Sequence, residues 1–217
     1  KARFASVLAA TLFVWFTGQM NFAGEWVVGG VEGKTFAYPC VFLGLANLAE
    51  GRWRRVWPWF GLGGAFHVLV GGWAAIAAAA AWILEPREIR PKLTSMLPSL
   101  ALADLLALPG LLPALALTAN VSTEESQEAA RIYVFERLAH HLAPLHQEPE
   151  QITIRLRRFA VPLLAFLSLW SFLRIGGVQT GSNADDRNKA LERICRFAAI
   201  SFLICVVGLI WEALCSG

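Results

Sequence analysis

The sequence predicts an all-α protein, a polytopic bundle of transmembrane helices with about six to seven membrane segments. Hydrophobic residues make up 56% of the 217 residues, and the mean hydropathy is +0.52, well above the apolar share of an ordinary soluble domain. The apolar residues form blocks rather than one face of each helix, and nearly all charges fall between the blocks. Nine Trp and 14 Phe fit interfacial belts and a helical core. We therefore expect an integral membrane protein whose first partner is the lipid bilayer.

The apolar blocks define the expected membrane segments in chain order. They lie at 4–17, 35–49, 57–84, 93–119, 159–175 and 197–214. The chain starts at Lys1 without a methionine, and its last block closes abruptly at Gly217. We expect a single membrane domain over residues 1–217 that is a fragment of a longer chain.

The third block is too long for one untilted span. At 1.5 Å per residue it would extend about 42 Å, which is about 12 Å more than the hydrocarbon core. Gly63-Gly64 and Gly71-Gly72 flank His67 in its middle, so we predict a re-entrant break of the helix near His67. With this break, most of the 19 Lys and Arg residues lie on the cytoplasmic side, whereas one straight span divides them almost equally. The positive-inside rule favours the break.

Two exterior loops follow from this topology, at about 18–34 and 119–158. Together they contain half of the 16 acidic residues and most of the histidines. Within the second loop, Ser122-Thr123-Glu124-Glu125 matches a capping box, which predicts an exterior amphipathic helix over about 123–142. Pro144 and Pro149 are expected to end this helix.

Glu32 and Lys34 are the first candidate site residues, because they stand at the mouth of the second apolar block. Ionisable groups at a membrane boundary are costly unless they have partners or water. The two residues fit either an interfacial salt bridge, with Lys34 reaching to the headgroups, or a functional site. Glu25 is the other acid of the same loop.

Three further positions combine polar chemistry with apolar surroundings. His67 is either a core histidine bonded to a neighbouring helix or a site residue at the re-entrant tip. Asp104, in the middle of the fourth block, needs a partner inside the protein. His140 and His141 fit interfacial imidazoles or substrate contacts. A shared metal is the least favoured alternative, because adjacent helical residues point about 100° apart and cannot easily bind one ion.

Several function classes lack any signature in the sequence. There is no Gly-rich phosphate loop, no GxSxG, no HExxH and no CxxC motif. The net charge of +3 is explained by short clusters that flank the membrane segments, so no nucleic-acid partner is expected. We predict no metal site.

One segment carries a resemblance to a known family. GGVEGKTFAYPCVFLGLANLAEGRWRRVWPWFGLGGAFHVLVGGWAAIAAAAAWIL combines an exterior acid and lysine, a short helix, a basic turn, and a Gly-rich GLxxxFH stretch before a second apolar segment. This pattern, over about residues 15–85, resembles the GT-C-type membrane glycosyltransferases and bacterial membrane proteins related to them. Such enzymes transfer a sugar from a polyprenyl-phosphate donor at the outer face of the membrane.

The resemblance implies roles for particular residues. Glu32 and Glu25 would be the catalytic acids, and Lys34 would hold the lipid phosphate. His67, Arg131, His140 and His141 would contact the substrate. A bacterial plasma-membrane location is implied, with no cofactor other than a divalent cation if the chain is a true glycosyltransferase.

Two other functions remain open, a transporter or channel component and a membrane scaffold without catalysis. The three classes predict different placements of the polar residues. Glu32, Lys34 and His67 around one outward-facing cavity would favour the transferase. A track from His67 to Asp104 through the bundle would favour transport, and dispersed polar groups would favour the scaffold.

Overall fold

The computed structural model describes residues 2–19, 31–117, 119, 121–175 and 182–215, and all regular secondary structure in these ranges is helical. The all-α prediction is therefore confirmed. The elements are α1 (Ala2–Gln19), α2 (Gly33–Ala49), α3 (Trp53–Phe66), α4 (Val68–Ile83), α5 (Leu93–Ala116), α6 (Thr123–Arg131), a π-helix (Ile132–Arg137), α7 (Ala139–Leu142), α8 (Pro149–Ile175) and α9 (Ser182–Cys215).

The predicted break of the third block near His67 is confirmed. Helix α3 ends at Phe66, α4 begins at Val68, and His67 between them has an extended backbone with φ −152° and ψ 103°. The 14 residues of α3 and the 16 of α4 extend about 21 and 24 Å. Each helix is therefore shorter than the hydrocarbon core of about 30 Å, and the re-entrant course of the segment stays a prediction.

The last two helices begin well before their apolar blocks. Helix α8 starts at Pro149 rather than near 159, and α9 starts at Ser182 rather than near 197. The helical segment before Pro144 ends at Leu142, as predicted, but Pro149 begins a new helix rather than ending one. As the first residue of α8, Pro149 needs no intrahelical N–H partner. Backbone hydrogen bonding carries a helix into polar sequence, which an apolar block does not reveal.

The exterior helix predicted over 123–142 is confirmed only at its start. The Ser122 side chain accepts from the Glu125 backbone N–H, and the Glu125 carboxylate accepts from the Ser122 backbone N–H, as a capping box requires. A continuous α-helix is wrong, because the chain changes to a π-helix at Ile132 and leaves helical geometry at Leu138. Insertions of this kind shift the register of the apolar stripe.

Two helices in the described part of the chain contain stretches long and apolar enough to cross a membrane, Leu93–Ala116 and Asp185–Leu214. The stretches Ser6–Gln19 and Val68–Ile83 are apolar but shorter. These lengths are consistent with membrane association, while the expected total of six to seven segments stays a prediction.

The chain divides into two compact units. The first, which we call the α2–α5 unit, comprises Glu32–Asn120 with Arg174–Cys205. The second, the α8 unit, comprises Lys1–Val31, Val121–Leu173 and Val206–Gly217. The predicted single membrane domain stays a prediction.

Helix α3 lies at the centre of the α2–α5 unit and packs against α2, α4 and α5. Glycines make this packing close. A Cβ on Gly61 would approach the Ala103 backbone, and one on Gly110 would approach the Gly64 carbonyl oxygen, both closer than the 3.0 Å that real Cβ atoms keep. Small residues at such contacts are typical of membrane helix packing.

Helices α3 and α4 also contact each other directly across the break. A Cβ on Gly71 would approach the backbone of Gly64 closer than 3.0 Å. In a straight helix these two residues would be about 10.5 Å apart along the axis. The two helices therefore fold back on each other as a hairpin.

The side-chain core of this unit surrounds the middle of α3. Phe60, Leu48, Met96 and Val56 are the largest fully buried side chains in the described residues. Trp57 donates from Nε1 to the Met96 sulfur at 3.4 Å, which joins α3 to α5. This packing fixes the start of α5, and with it the course of the helix that carries Asp104.

Candidate functional site

The Glu32–Lys34 pair forms at the first turn of α2. Glu32 precedes the helix in an extended conformation, and its side chain does not cap the helix N-terminus. The carboxylate instead pairs with the Lys34 ammonium at 3.0 Å. Lys34 is only 8% exposed, whereas about half of the Glu32 side chain is exposed. A buried cation at a helix N-terminus next to a partly open carboxylate is an environment in which an anion can bind.

Gly33 brings this pair to the helix break. A methyl group on Gly33 would approach the Phe66 carbonyl oxygen closer than 3.0 Å and would lie 3.9 Å from the Cβ of His67. The rings of Phe36 and Phe66 stack with their centroids 5.5 Å apart, which holds the same two segments together. The start of α2 therefore lies against the α3–α4 break, and three predicted site residues, Glu32, Lys34 and His67, belong to one region.

His67 has a structural role at this break. Its Nδ1 accepts a hydrogen bond from the Val70 backbone N–H at 3.3 Å and so caps the start of α4. Its backbone N–H donates to the Gly63 carbonyl, and its own carbonyl accepts from Gly71. The cap fixes the tautomer, because an accepting Nδ1 leaves the proton of a neutral imidazole on Nε2.

Arg131 belongs to the α8 unit and is held by acids of its own segment. Its guanidinium pairs with Glu128 at 2.8 Å and with Glu136 at 3.0 Å, all at the exposed surface. The hydrogen bonds that Arg131 donates to Glu128, followed by the charges of both carboxylates, raise the pKa of Arg131 further above its usual range. Surface pairs of this kind hold a side chain in place without contributing much stability.

The remaining predicted site residues are not tested. Glu25 lies outside the described residues. His140 and His141 lie on α7, but their side chains are outside the described part. Their roles, like the contact of Arg131 with a substrate, stay predictions. In the described residues no cluster of three or more His, Cys, Asp or Glu side chains could hold a metal ion.

Asp104 lies on the wall of a cavity between α3, α4 and α5. The cavity has a volume of about 400 Å³, and its wall runs from Trp57 and Phe60 to Val68, next to His67. Asp104 is the one charged residue among the described residues that line it. A continuous polar track from His67 to Asp104 is not seen in the described residues. An apolar cavity with Asp104 on its wall lies in this region instead.

A buried charge cluster was not predicted from the sequence. Glu85, only 3% exposed, follows α4 and accepts from Arg193 Nε at 2.8 Å and from Arg196. Arg193 also donates to the Ala49 carbonyl at the end of α2. Arg193 and Arg196 are three residues apart on one helix face, which groups the two arginines but does not indicate Glu85 as their partner. The positive-inside rule accounts for them only as membrane-flanking charges.

Glu212, another acid inside an apolar block, is satisfied by the backbone. Its Oε1 accepts from the Leu145 N–H at 2.6 Å and from the His146 N–H at 3.2 Å. These bonds tie α9 to the segment after α7 within the α8 unit. Glu212 therefore has a structural role in this unit.

No protein-family model, curated protein or solved structure is significantly similar to this chain. The resemblance to GT-C-type glycosyltransferases thus rests on the sequence pattern alone.

Proposed function

We propose that this chain is a multi-pass integral membrane protein that binds the phosphate of a lipid-linked sugar at the start of α2. The observation that carries the proposal is the buried Lys34 ammonium, held by Glu32 beside the helix break at His67. A lysine in an apolar wall would be costly to keep for packing alone. An anionic headgroup would add a counter-charge to this ammonium.

Three groups would contribute to phosphate binding. The Lys34 ammonium would supply the charge. The start of α2 would contribute the partial positive charge of a helix N-terminus, as at other helix N-termini that bind anions. The Nε2–H of His67 would donate a hydrogen bond. The apolar surface of the α3–α4 hairpin would accommodate the beginning of the lipid chain.

By its resemblance to GT-C-type enzymes, the reaction would be transfer of the sugar to an acceptor hydroxyl. Glu32, whose side chain is partly open, would take the proton of that hydroxyl while the bond between the anomeric carbon and the phosphate oxygen breaks. The acceptor oxygen forms the new bond to the anomeric carbon, and the lipid phosphate leaves with its charge stabilised by Lys34. The location would be the outer face of a bacterial plasma membrane.

The test is direct binding of a fluorescent polyprenyl phosphate to the full-length protein in nanodiscs of neutral lipid. We expect Lys34→Met to weaken binding at least tenfold, because Met keeps the apolar stem and removes the charge. The matched control is Lys189→Met, which removes an exposed lysine from an ion pair with Asp185. The corresponding polyprenol without phosphate should bind weakly to both variants.

The catalytic step has a separate readout. Glu32→Gln should retain binding of the lipid phosphate and lose sugar transfer. If Lys34→Met binds polyprenyl phosphate as tightly as the wild type, the site is wrong. If binding is confirmed but the wild type transfers no sugar, the chain binds the lipid as a non-catalytic relative.

A further inference from the structure

The cavity between α3, α4 and α5 combines apolar walls with one carboxylate. Its lining includes two aromatic residues of the core, Phe60 and Trp57, which are 1% and 5% exposed. Glycines and alanines of α4, together with Gly61 and Gly64 of α3, form much of the remaining wall. Because these residues lack long side chains, they leave a volume of about 400 Å³, which is in the range of small-molecule sites.

Asp104 has no hydrogen bond or ion pair with any residue that the structure describes. It is exposed to the cavity side of α5 rather than covered by protein. It also stands at the middle of the 24-residue helix Leu93–Ala116, one of two helices in the described part of the chain that are long and apolar enough to span a membrane. A carboxylate at this depth costs several kcal/mol unless a counter-charge is present.

From these observations we infer that the cavity binds a lipophilic organic cation, a quaternary ammonium or phosphonium group with apolar substituents, whose charge is balanced by Asp104. The apolar substituents would contact the glycine and alanine walls of α3 and α4.

Other occupants satisfy only part of the site. A bare metal ion prefers six or more oxygen ligands, and among the described lining residues only Asp104 supplies carboxylate oxygens. A neutral lipid tail would fill the apolar volume but leave the carboxylate without a counter-charge. A lipophilic cation matches both the walls and the charge. This site is separate from the phosphate site proposed at Lys34, and neither inference depends on the other.

The test uses tetraphenylphosphonium and tetraphenylborate, two rigid ions of the same shape and opposite charge. Binding of radiolabelled tetraphenylphosphonium is measured by scintillation proximity on the full-length protein in a non-ionic detergent. We expect saturable binding to the wild type that unlabelled tetraphenylphosphonium displaces and tetraphenylborate does not. Asp104→Asn, which keeps the shape and removes the charge, should weaken binding at least tenfold, whereas Asp104→Glu should retain it.

A second pair of variants tests the cavity itself. A Cβ on Gly72, in the cavity wall, would meet nothing within 4 Å, so the side chain of Gly72→Leu would start in open space at the cavity. We expect this variant to fold and to lose most of the binding. Gly208→Leu is the matched control, since Gly208 of α9 is equally open and does not line the cavity.

Three results would overturn the inference. The wild type could show no saturable binding of tetraphenylphosphonium. Asp104→Asn could bind it as tightly as the wild type, or tetraphenylborate could compete equally, which would indicate a neutral apolar site for lipid tails. Loss of binding in Gly208→Leu to the same degree as in Gly72→Leu would also exclude the cavity as the site. In each variant, a monodisperse elution profile confirms that the protein is folded.

Discussion

Replacement of Glu85 by Gln tests whether the charge cluster of the α2–α5 unit holds that unit together. Glu85 is almost fully buried and receives hydrogen bonds from both Arg193 and Arg196. Gln keeps the size of the side chain but loses the charge and one acceptor oxygen. The two neighbouring guanidinium groups would then share one neutral partner. The hydrogen bond of Arg193 to residue 85 would weaken, and with it the link that Arg193 makes to the Ala49 carbonyl at the end of α2.

The magnitude follows from the burial of the three groups. Removal of one partner from a buried ion pair costs about 3–5 kcal/mol, because an uncompensated charge stays behind. The side chains of Arg193 and Arg196 are 12% and 22% exposed, and Arg196 retains Glu192 as a second partner. Water and Glu192 would relieve part of the cost. We therefore expect Glu85→Gln to lower the free energy of unfolding by about 3 kcal/mol, at the lower end of that range.

The matched control removes a charge from the same arginine at the surface. Glu192 pairs with Arg196 at 3.1 Å, one helical turn away, and 48% of its side chain is exposed. Such pairs contribute about 0.3–0.5 kcal/mol, so Glu192→Gln should be nearly neutral. Unfolding by increasing mole fractions of sodium dodecyl sulfate in mixed micelles, followed by tryptophan fluorescence, measures both variants. If the two destabilise equally, the cluster does not contribute as a buried ion pair.

Three further predictions concern the glycines and the capping box. Gly71→Ala should destabilise the α3–α4 hairpin by about 1–3 kcal/mol through overpacking against the Gly64 backbone, whereas Gly72→Ala should not, and thermal unfolding of the two variants decides this. Gly33→Ala should push the start of α2 away from the Phe66 carbonyl and so weaken binding of polyprenyl phosphate, and equal affinity would contradict the role of this contact. The capping box of α6 should weaken in acid, because the hydrogen bonds of Ser122 lower the pKa of Glu125 in the folded state. The contribution of Glu125 to stability is therefore present above its ordinary pKa of 4.5, and it is lost as the pH falls through the lowered pKa. The NMR amide shift of Glu125 should report this loss, and in Ser122→Ala it should follow the ordinary glutamate titration.

Local signals in the sequence predicted local features of the fold. Glycines around His67 within an overlong apolar block indicated the helix break, since both the length limit and the backbone freedom are properties of that segment alone. The capping box at Ser122 and Glu125 was predicted for the same reason. The position of Glu32 and Lys34 at the start of α2 followed from the change in hydropathy.

Features that depend on contacts between distant segments were not predictable in this way. Glu85 and its two arginine partners are more than 100 residues apart in the sequence, and no pattern near Glu85 indicates which helix supplies these arginines. The partner that Asp104 needs was expected inside the protein. The described structure instead places Asp104 at a cavity, because the short side chains of α3 and α4 leave space where a helix face was expected. The polar first turns of α8 and α9 were missed because hydropathy marks apolar length, not helix length.

The glycine contacts of α3 also imply an order of packing events during synthesis. Within the part of the chain made first, Gly64 already contacts Gly71, and the start of α2 lies against the Phe66 carbonyl. Gly61 meets the Ala103 backbone only about 40 residues later, when α5 has been made. Until then, the face of α3 around Gly61 lacks the helix that packs closely against it. Truncation of the chain before residue 103 should therefore leave a less stable α3–α4 hairpin, and extension past residue 110 should stabilise the hairpin.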